Sequence, residues 1–317
     1  MTIGFVFSGQ GSQYHGMGKE LYDEFPEFRQ YVECASDMLH FDMSNLLFEE
    51  DERLHETAYT QPAILTMSCA TSAIVKKQFN INPVIVAGLS LGEYSALVEN
   101  DTLTFEDAVK LVNKRGALME SAVPRGVGAM SAVIGLDREV IENICEKISQ
   151  SESIVLPVNY NMPQQTAIAG HKEAVTQAEK LLEEAGAKKV VRLNVSGPFH
   201  TPLLETAAEE FYLELEKITF NTLSIPLITN VTGNLIDDRT DIRMNLKKQM
   251  MSPVYWVDTV NTLKRESVNN VIELGPGKTL SQFIRITDGT FNVQNVENLK
   301  TLNQLEKKLV KWEEIHA

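Results

Sequence analysis

The chain has 317 residues, of which 43 are acidic and 29 basic, giving a net charge of −14 at pH 7. A surface this acidic repels phosphate backbones and anionic lipid headgroups, which argues against a nucleic-acid or membrane-surface partner. The length suits one large core, or one core with a smaller domain added, and the composition is that of an ordinary globular protein.

Ile3–Phe7 is an apolar run with no basic segment before it, so it reads as a first strand and not as a signal peptide. No apolar run is long enough to span a bilayer, and the expected location is the cytoplasm. A glycine-bearing loop, Gly9-Gln10-Gly11-Ser12-Gln13, follows the strand. A helix is expected over Thr60–Phe79, with Pro62 in its first turn, where a missing N–H costs nothing. Val84-Ile85-Val86-Ala87 is a continuous apolar run of the kind found in buried parallel strands. Gly88-Leu89-Ser90-Leu91-Gly92 comes next, then a helix through Ala96, and a further helix is expected over Thr104–Ala122. This alternation predicts an α/β domain with a parallel sheet.

The middle of the chain changes character. Ala129–Ile134 reads as a strand, Arg138–Ile148 as a helix, Ile154–Asn159 and Thr166–Ala169 as strands, Lys172–Ala185 as a helix and Val190–Val195 as a strand. The order β-α-β-β-α-β is the ferredoxin-like motif. The expected fold is therefore a large α/β domain formed by residues 1–125 and 198–317, with a small ferredoxin-like α+β domain, residues 126–197, inserted into it. Pro124-Arg125-Gly126 and Gly197-Pro198 are the expected hinges. Val271–Leu274 is a late strand, and Gly275-Pro276-Gly277 leads into another helix. The three cysteines, Cys34, Cys69 and Cys145, match no disulfide framework or metal knuckle and are expected to be buried thiols. No dinucleotide fingerprint or metal cluster is present, so no bound cofactor is expected.

Chemistry concentrates at a few positions. Gly88-Leu89-Ser90-Leu91-Gly92 is a G-x-S-x-G motif with a strand before it and a helix after it, the context of a nucleophile elbow; without that context it would be a glycine turn with an exposed serine. A serine nucleophile needs a base, usually histidine. His40, His55 and His171 lie in or beside helices, and His316 is in the C-terminal tail. His15 follows the first loop and is a candidate. His200 is the stronger one, because its loop, Ser196-Gly197-Pro198-Phe199-His200-Thr201-Pro202, falls at the boundary between the two expected domains; a structural loop histidine is the other reading. Arg115 lies three residues after Val112 and four before Met119, inside the apolar stripe Ala108, Leu111, Val112, Met119 of its helix. An inward guanidinium needs a partner. A planar fork suits a carboxylate, either of an internal Asp or Glu or of a ligand.

These segments together resemble the malonyl-CoA:acyl carrier protein transacylase family, which includes the acyltransferase domains of polyketide and fatty acid synthases. The matches run in order along nearly the whole chain: Phe7–Gln13, Gly88–Leu97, Lys114-Arg115-Gly116, Asn159-Tyr160-Asn161 with Gln165, Gly197-Pro198-Phe199-His200, Gln249 with Ser252-Pro253-Val254, and Glu273–Lys278. The resemblance implies a transferase that moves malonyl from malonyl-CoA to an acyl carrier protein through an acyl-enzyme on Ser90. It implies His200 as general base, backbone N–H groups of Gln10 and Leu91 as oxyanion hole, and Arg115 as the group that binds the malonyl carboxylate. Phe199 looks like the malonyl-selective version of the histidine loop. Gln249 lies beside the substrate, and the main-chain carbonyl at its position orients the histidine in place of an acid. Coenzyme A and phosphopantetheine enter only as thiol carriers of the substrate. Two positions depart from the pattern: Leu89 stands where housekeeping members carry histidine, and Tyr255 replaces an arginine. Leu89 looks more like the discrete acyltransferases that serve polyketide synthases. An acyl hydrolase that clears carrier proteins is the alternative, but it has no need of Arg115. Lys188, Lys189 and Arg192 are the expected basic patch for an acidic carrier.

Overall fold

The structure, a computed structural model, describes residues 2–124, 126–195, 197–237 and 239–316. Arg125 in the first expected hinge and Ser196 at the start of the histidine loop lie outside the described residues, as does the side chain of His316. Nine strands occur among the described residues. They are β1 (Ile3–Phe7), β2 (Ile85–Gly88), β3 (Gly128–Ile134), β4 (Val155–Met162), β5 (Gln165–His171), β6 (Lys189–Arg192), β7 (Leu227–Ile228), β8 (Asn270–Leu274) and β9 (Asn292–Val296). They form two sheets.

The first sheet has the order β7-β2-β1-β8-β9, and every neighbouring pair is parallel. Its three central strands are buried along their whole length, as the continuous apolar runs of β1 and β2 require when helices cover both faces; β8 also buries Asn270 and Glu273. The second sheet is antiparallel, with the order β4-β5-β3-β6. The helices Arg138–Ile148 and Lys172–Glu184 pack on it around a separate core that includes Val133, Ile141, Val155, Ile168, Val175 and Leu182.

The sheets are joined by more than the chain connections. Tyr160 N–H donates to the Val254 carbonyl at 2.9 Å, and Val254 N–H donates to the Val158 carbonyl at 2.8 Å. Beside this bridge the Tyr160 and Tyr255 rings stack at 5.2 Å, and the Arg138 guanidinium lies 3.8 Å from the Tyr160 ring centroid. Tyr255, the departure noted in the sequence, thus forms part of a cation–aromatic stack between the two sheets.

Some elements differ from expectation. The strand expected over Val190–Val195 ends at Arg192, because Leu193, Asn194 and Val195 turn away to line a cleft between the sheets. β7 and β9 were not foreseen: β7 has two residues, and β9 carries Asn292, Gln294 and Asn295, which breaks its apolar run. Cys69 and Cys145 are buried thiols, but Cys34 is only half-buried, on a helix near the surface.

The long helix begins at Thr57, three residues before the expected start, so Pro62 falls in its second turn. A proline there supplies no N–H to the carbonyl four residues back. That carbonyl belongs to Ala58, and the Asn113 side-chain amide donates to it at 2.8 Å. Asn113 comes from the helix Phe105–Ser121, which crosses close by. The crossing is tight because Gly116 has no side chain: a Cβ there would sit 2.4 Å from the Thr57 carbonyl oxygen. Asn113→Ala should therefore destabilise the protein by about 1–2 kcal/mol, the cost of an orphaned buried acceptor. The loss should be markedly smaller in a Pro62→Ala background, where residue 62 regains its own N–H. Urea unfolding of the four chains measures the coupling, and additive effects would show that Asn113 does not compensate for the proline.

Candidate active site

The strand β2 ends at Gly88, and the helix Gly92–Glu99 begins four residues later. Two glycines allow the turn between them. A Cβ at Gly88 would lie 2.0 Å from the Gly92 backbone, and one at Gly92 would lie 2.1 Å from the Phe7 carbonyl oxygen. Ser90 at the apex has φ 52°, in the left-handed region that non-glycine residues seldom occupy. Asn230 holds it there. Its side-chain oxygen accepts from Ser90 N–H at 2.5 Å, and its amide donates to the Gly88 carbonyl at 2.6 Å.

His200 faces the turn. Its Nε2 is 2.9 Å from Ser90 Oγ, and its Nδ1 is 2.9 Å from the Gln249 main-chain carbonyl. A carbonyl only accepts, so Nδ1 carries the proton, and the Nε2 lone pair is left for the Ser90 hydroxyl. His200 also has positive φ, 62°. Both residues of the pair are thus held in conformations that cost energy, which is common where function fixes the backbone. Burial pushes the imidazole pKa down, the Arg115 charge lowers it further, and it reaches about 4. The ring is neutral at physiological pH.

Arg115 lies on the buried face that the helical period assigns to it and is fully inaccessible. Its guanidinium donates to Ser90 Oγ at 3.2 Å, to Gln249 Oε1 at 3.0 Å and to Gln61 Oε1 at 2.9 Å. All three acceptors are neutral. The internal ion pair left open by the sequence does not form among the described residues, and Nε–H has no partner. The Tyr94 ring lies 5.3 Å from the guanidinium carbon. Burial lowers the Arg115 pKa, and Tyr94 and Glu93 oppose that shift.

The cleft around Ser90 is lined by Gln10, Leu89, Met119, Met130, Phe199 and His200, among others. The N–H groups of Gln10 and Leu91 have no hydrogen-bond partner among the described residues, so both are free to donate to a ligand. Leu91 itself is buried beneath the turn. His55 lines the cleft, whereas His15 packs edge-on behind it with ring centroids 5.3 Å apart. Of the expected basic patch, Arg192 is engaged by Glu179 at 2.6 Å and by Thr176, while Lys188 and Lys189 are exposed.

Several residues at the site escaped the sequence reading. Glu93 is fully buried, and burial raises its carboxyl pKa to about 7 against hydrogen bonds that lower it. It accepts from Asn230 N–H at 2.8 Å, Gln249 Nε2 at 3.1 Å and Asn245 Nδ2 at 3.1 Å. A signal for Glu93 existed: Tyr94, Ala96 and Leu97 follow it on a short helix rich in apolar residues, where a carboxylate is buried with its neighbours. Gln61 and Asn230 gave no comparable signal.

The acyl transferase domain family matches residues 4–314. A malonyl CoA-acyl carrier protein transacylase of Bacillus subtilis is 42% identical over 284 residues, covering 89% of this chain and 89% of that protein. The crystal structure of the corresponding enzyme of Clostridium perfringens superposes with a TM-score of 0.95 at 39% identity, over 100% of this chain and 99% of that one. A malonyl-transacylase solved in complex with its type II PKS acyl-carrier protein superposes with a TM-score of 0.92 at 39% identity, over 95% of this chain and 98% of that one. With matches of this extent, the chain belongs to the acyl transferase domain family.

Proposed function

We propose that this chain transfers malonyl from malonyl-CoA to the phosphopantetheine thiol of an acyl carrier protein. The observation that carries this reading is Arg115: a buried guanidinium in contact with Ser90 Oγ, surrounded by neutral acceptors, with its Nε–H unpaired. A carboxylated acyl group on Ser90 would supply the missing anion. An acyl hydrolase acting on neutral chains would bury that charge without use.

The chemistry follows from the dyad. Ser90 Oγ attacks the thioester carbon while His200 Nε2 takes its proton. The oxyanion of the tetrahedral intermediate is received by the N–H groups of Gln10 and Leu91. The C–S bond then breaks, the imidazolium returns the proton to the departing coenzyme A thiol, and malonyl-Ser90 remains. In the second half the carrier thiol gives its proton to His200 and its sulfur attacks the ester carbonyl; the C–O bond to Ser90 breaks, Ser90 Oγ takes the proton back from the imidazolium, and the malonyl thioester of the carrier leaves. The Gln249 carbonyl does the orienting that a carboxylate does in a triad. Phe199 closes the acyl side of the cleft.

We read the architecture as an α/β-hydrolase-like domain of residues 1–125 and 198–317, with a ferredoxin-like domain of residues 126–197 inserted. The all-parallel sheet, the β-α-β-β-α-β order and the separate core of the second sheet support this division. A cytoplasmic location belongs to the same reading; no helix among the described residues is long and apolar enough to cross a membrane. Leu89 beside the nucleophile supports service to a polyketide system, and the exposed Lys188 and Lys189 are the proposed contact for an acidic carrier.

Intact-mass measurement tests the reaction. Mixing with malonyl-CoA should add one malonyl group, peptide mapping should place it on Ser90, and Ser90→Ala should show none. Free malonate without an adduct would support hydrolysis instead.

Selectivity tests the role of Arg115. Losing one side of a buried charge pair costs about 2–5 kcal/mol. Arg115→Ala should therefore cut kcat/KM for malonyl-CoA by about 30-fold or more and leave that for acetyl-CoA much less affected. Arg115→Lys should recover little, because an ammonium lacks the fork. An equal loss on both thioesters would make Arg115 a structural residue only.

The pH dependence follows from His200. Its pKa is depressed, so the neutral base persists in acid, and kcat/KM for acylation should fall on the acid side near pH 4 and not near 6.5. The same depression ties folding to pH. The stability contribution of the neutral imidazole is complete above about pH 6.5 and is lost as pH falls through about 4. An acid limb in the pH–rate profile at 6.5 would show that the base is not buried in the free enzyme.

A further inference from the structure

Glu93 takes no part in the proton transfers described above, yet it joins the two parts of the site. Its Oε2 accepts from Asn230 N–H at 2.8 Å and from Gln249 Nε2 at 3.1 Å, and its Oε1 accepts from Asn245 Nδ2 at 3.1 Å. The first contact fixes the residue that clips the Ser90 turn. The second fixes which end of the Gln249 amide faces which neighbour. With Nε2 donating to Glu93 and to the Ser90 carbonyl at 2.9 Å, Oε1 is the end left for Arg115, at 3.0 Å. Had the amide turned over, it would present N–H groups to a guanidinium that can only donate. One acceptor would then be gone from a fully buried cation that has three, all neutral.

We propose that Glu93 is a positioning residue for acyl selectivity: by accepting from Gln249 Nε2 it locks that amide with its oxygen toward Arg115, and so aims the guanidinium at the acyl group on Ser90. The proposal rests on the reading of Arg115 as the carboxylate-binding residue. Glu93 itself touches no reacting atom. For the Gln249 amide, what it contributes is an acceptor at a fixed reach, so the lock depends on that reach and not on the charge. A raised carboxyl pKa is in keeping with this, since a neutral carboxyl retains an oxygen that can accept from Gln249. Acetyl transfer uses the same dyad but has no anion for Arg115, so the loss of aim should fall on malonyl.

Two variants separate reach from charge. Glu93→Asp keeps the charge and withdraws the acceptor by one methylene. Glu93→Gln keeps the reach and removes the charge; its amide oxygen can still accept from Gln249, and Asn245 can turn its own amide to match. The measurement is kcat/KM for malonyl-CoA and for acetyl-CoA, each expressed per folded protein as judged by the thermal unfolding amplitude. The malonyl-to-acetyl ratio should fall about 10-fold in Glu93→Asp and stay within about twofold of the parent in Glu93→Gln. The KM for malonyl-CoA should carry most of the change. A ratio that survives Glu93→Asp, or that collapses in Glu93→Gln, overturns the proposal. So does an equal loss on both thioesters, which would mark Glu93 as a fold residue alone. If the parent protein shows no preference for malonyl, the reading of Arg115 fails first and this one with it; if the parent shows the preference and the variants do not follow the pattern, only the role of Glu93 fails.

Discussion

Arg115 is a full positive charge removed from water and given no carboxylate in return. Burying an ion costs several kcal/mol unless other groups take over the work of water. Here two glutamines and the serine hydroxyl do that work. Each must be held with its oxygen inward, and much of the surrounding structure has that consequence. Gly116 lets the Arg115 helix approach the Thr57–Phe79 helix closely enough for Gln61 to reach the guanidinium. Asn113, one turn away, satisfies the carbonyl that Pro62 leaves free next to Gln61. Gln249 is shared: its side chain serves Arg115, and its main chain serves His200.

That sharing links binding to catalysis. The carbonyl that fixes the imidazole tautomer and the amide that receives the guanidinium belong to one residue at the end of the helix Ile242–Met250. A shift of that helix would disturb both. The positive φ at Ser90 and at His200 points the same way. Main-chain N–H groups anchor both conformations, Ser90 to the Asn230 side chain and His200 to the Met250 carbonyl. The site therefore stores local strain and holds it with buried polar contacts, and the parallel sheet beneath supplies the rigidity.

The second sheet contributes a wall of the cleft. Met130, Asn159, Asn161 and Ala167 face Ser90 from that side. Their distance from the nucleophile depends on the bridge at Val254 and on the stack of Arg138, Tyr160 and Tyr255. Arg138 also approaches Asp258 at 3.8 Å, so charge as well as aromatic surface spans the junction.

Local patterns in the sequence were enough for much of this. The apolar runs located β1 and β2, which are buried on both faces, and Val271–Leu274 located β8 although that strand also buries Asn270 and Glu273. The 3.6-residue period put Arg115 on the inward face, because helix geometry alone decides which side a residue shares with its neighbours. The glycines around Ser90 marked the turn, since no other residue fits there. What the sequence did not decide is everything that depends on partners distant along the chain. Arg115 could have met an internal carboxylate, and only the packing of three helices shows that it meets Gln61 and Gln249 instead. Pro62 read as a helix start until Asn113 was seen to compensate for it. β7 and β9 were illegible because strands so short or so polar have no period to detect, and the neighbouring strands alone pull them into the sheet. Glu93 and Asn230 acquire their places from the same cause: a buried hydrogen bond has no sequence signature when its two ends are brought together only by the fold.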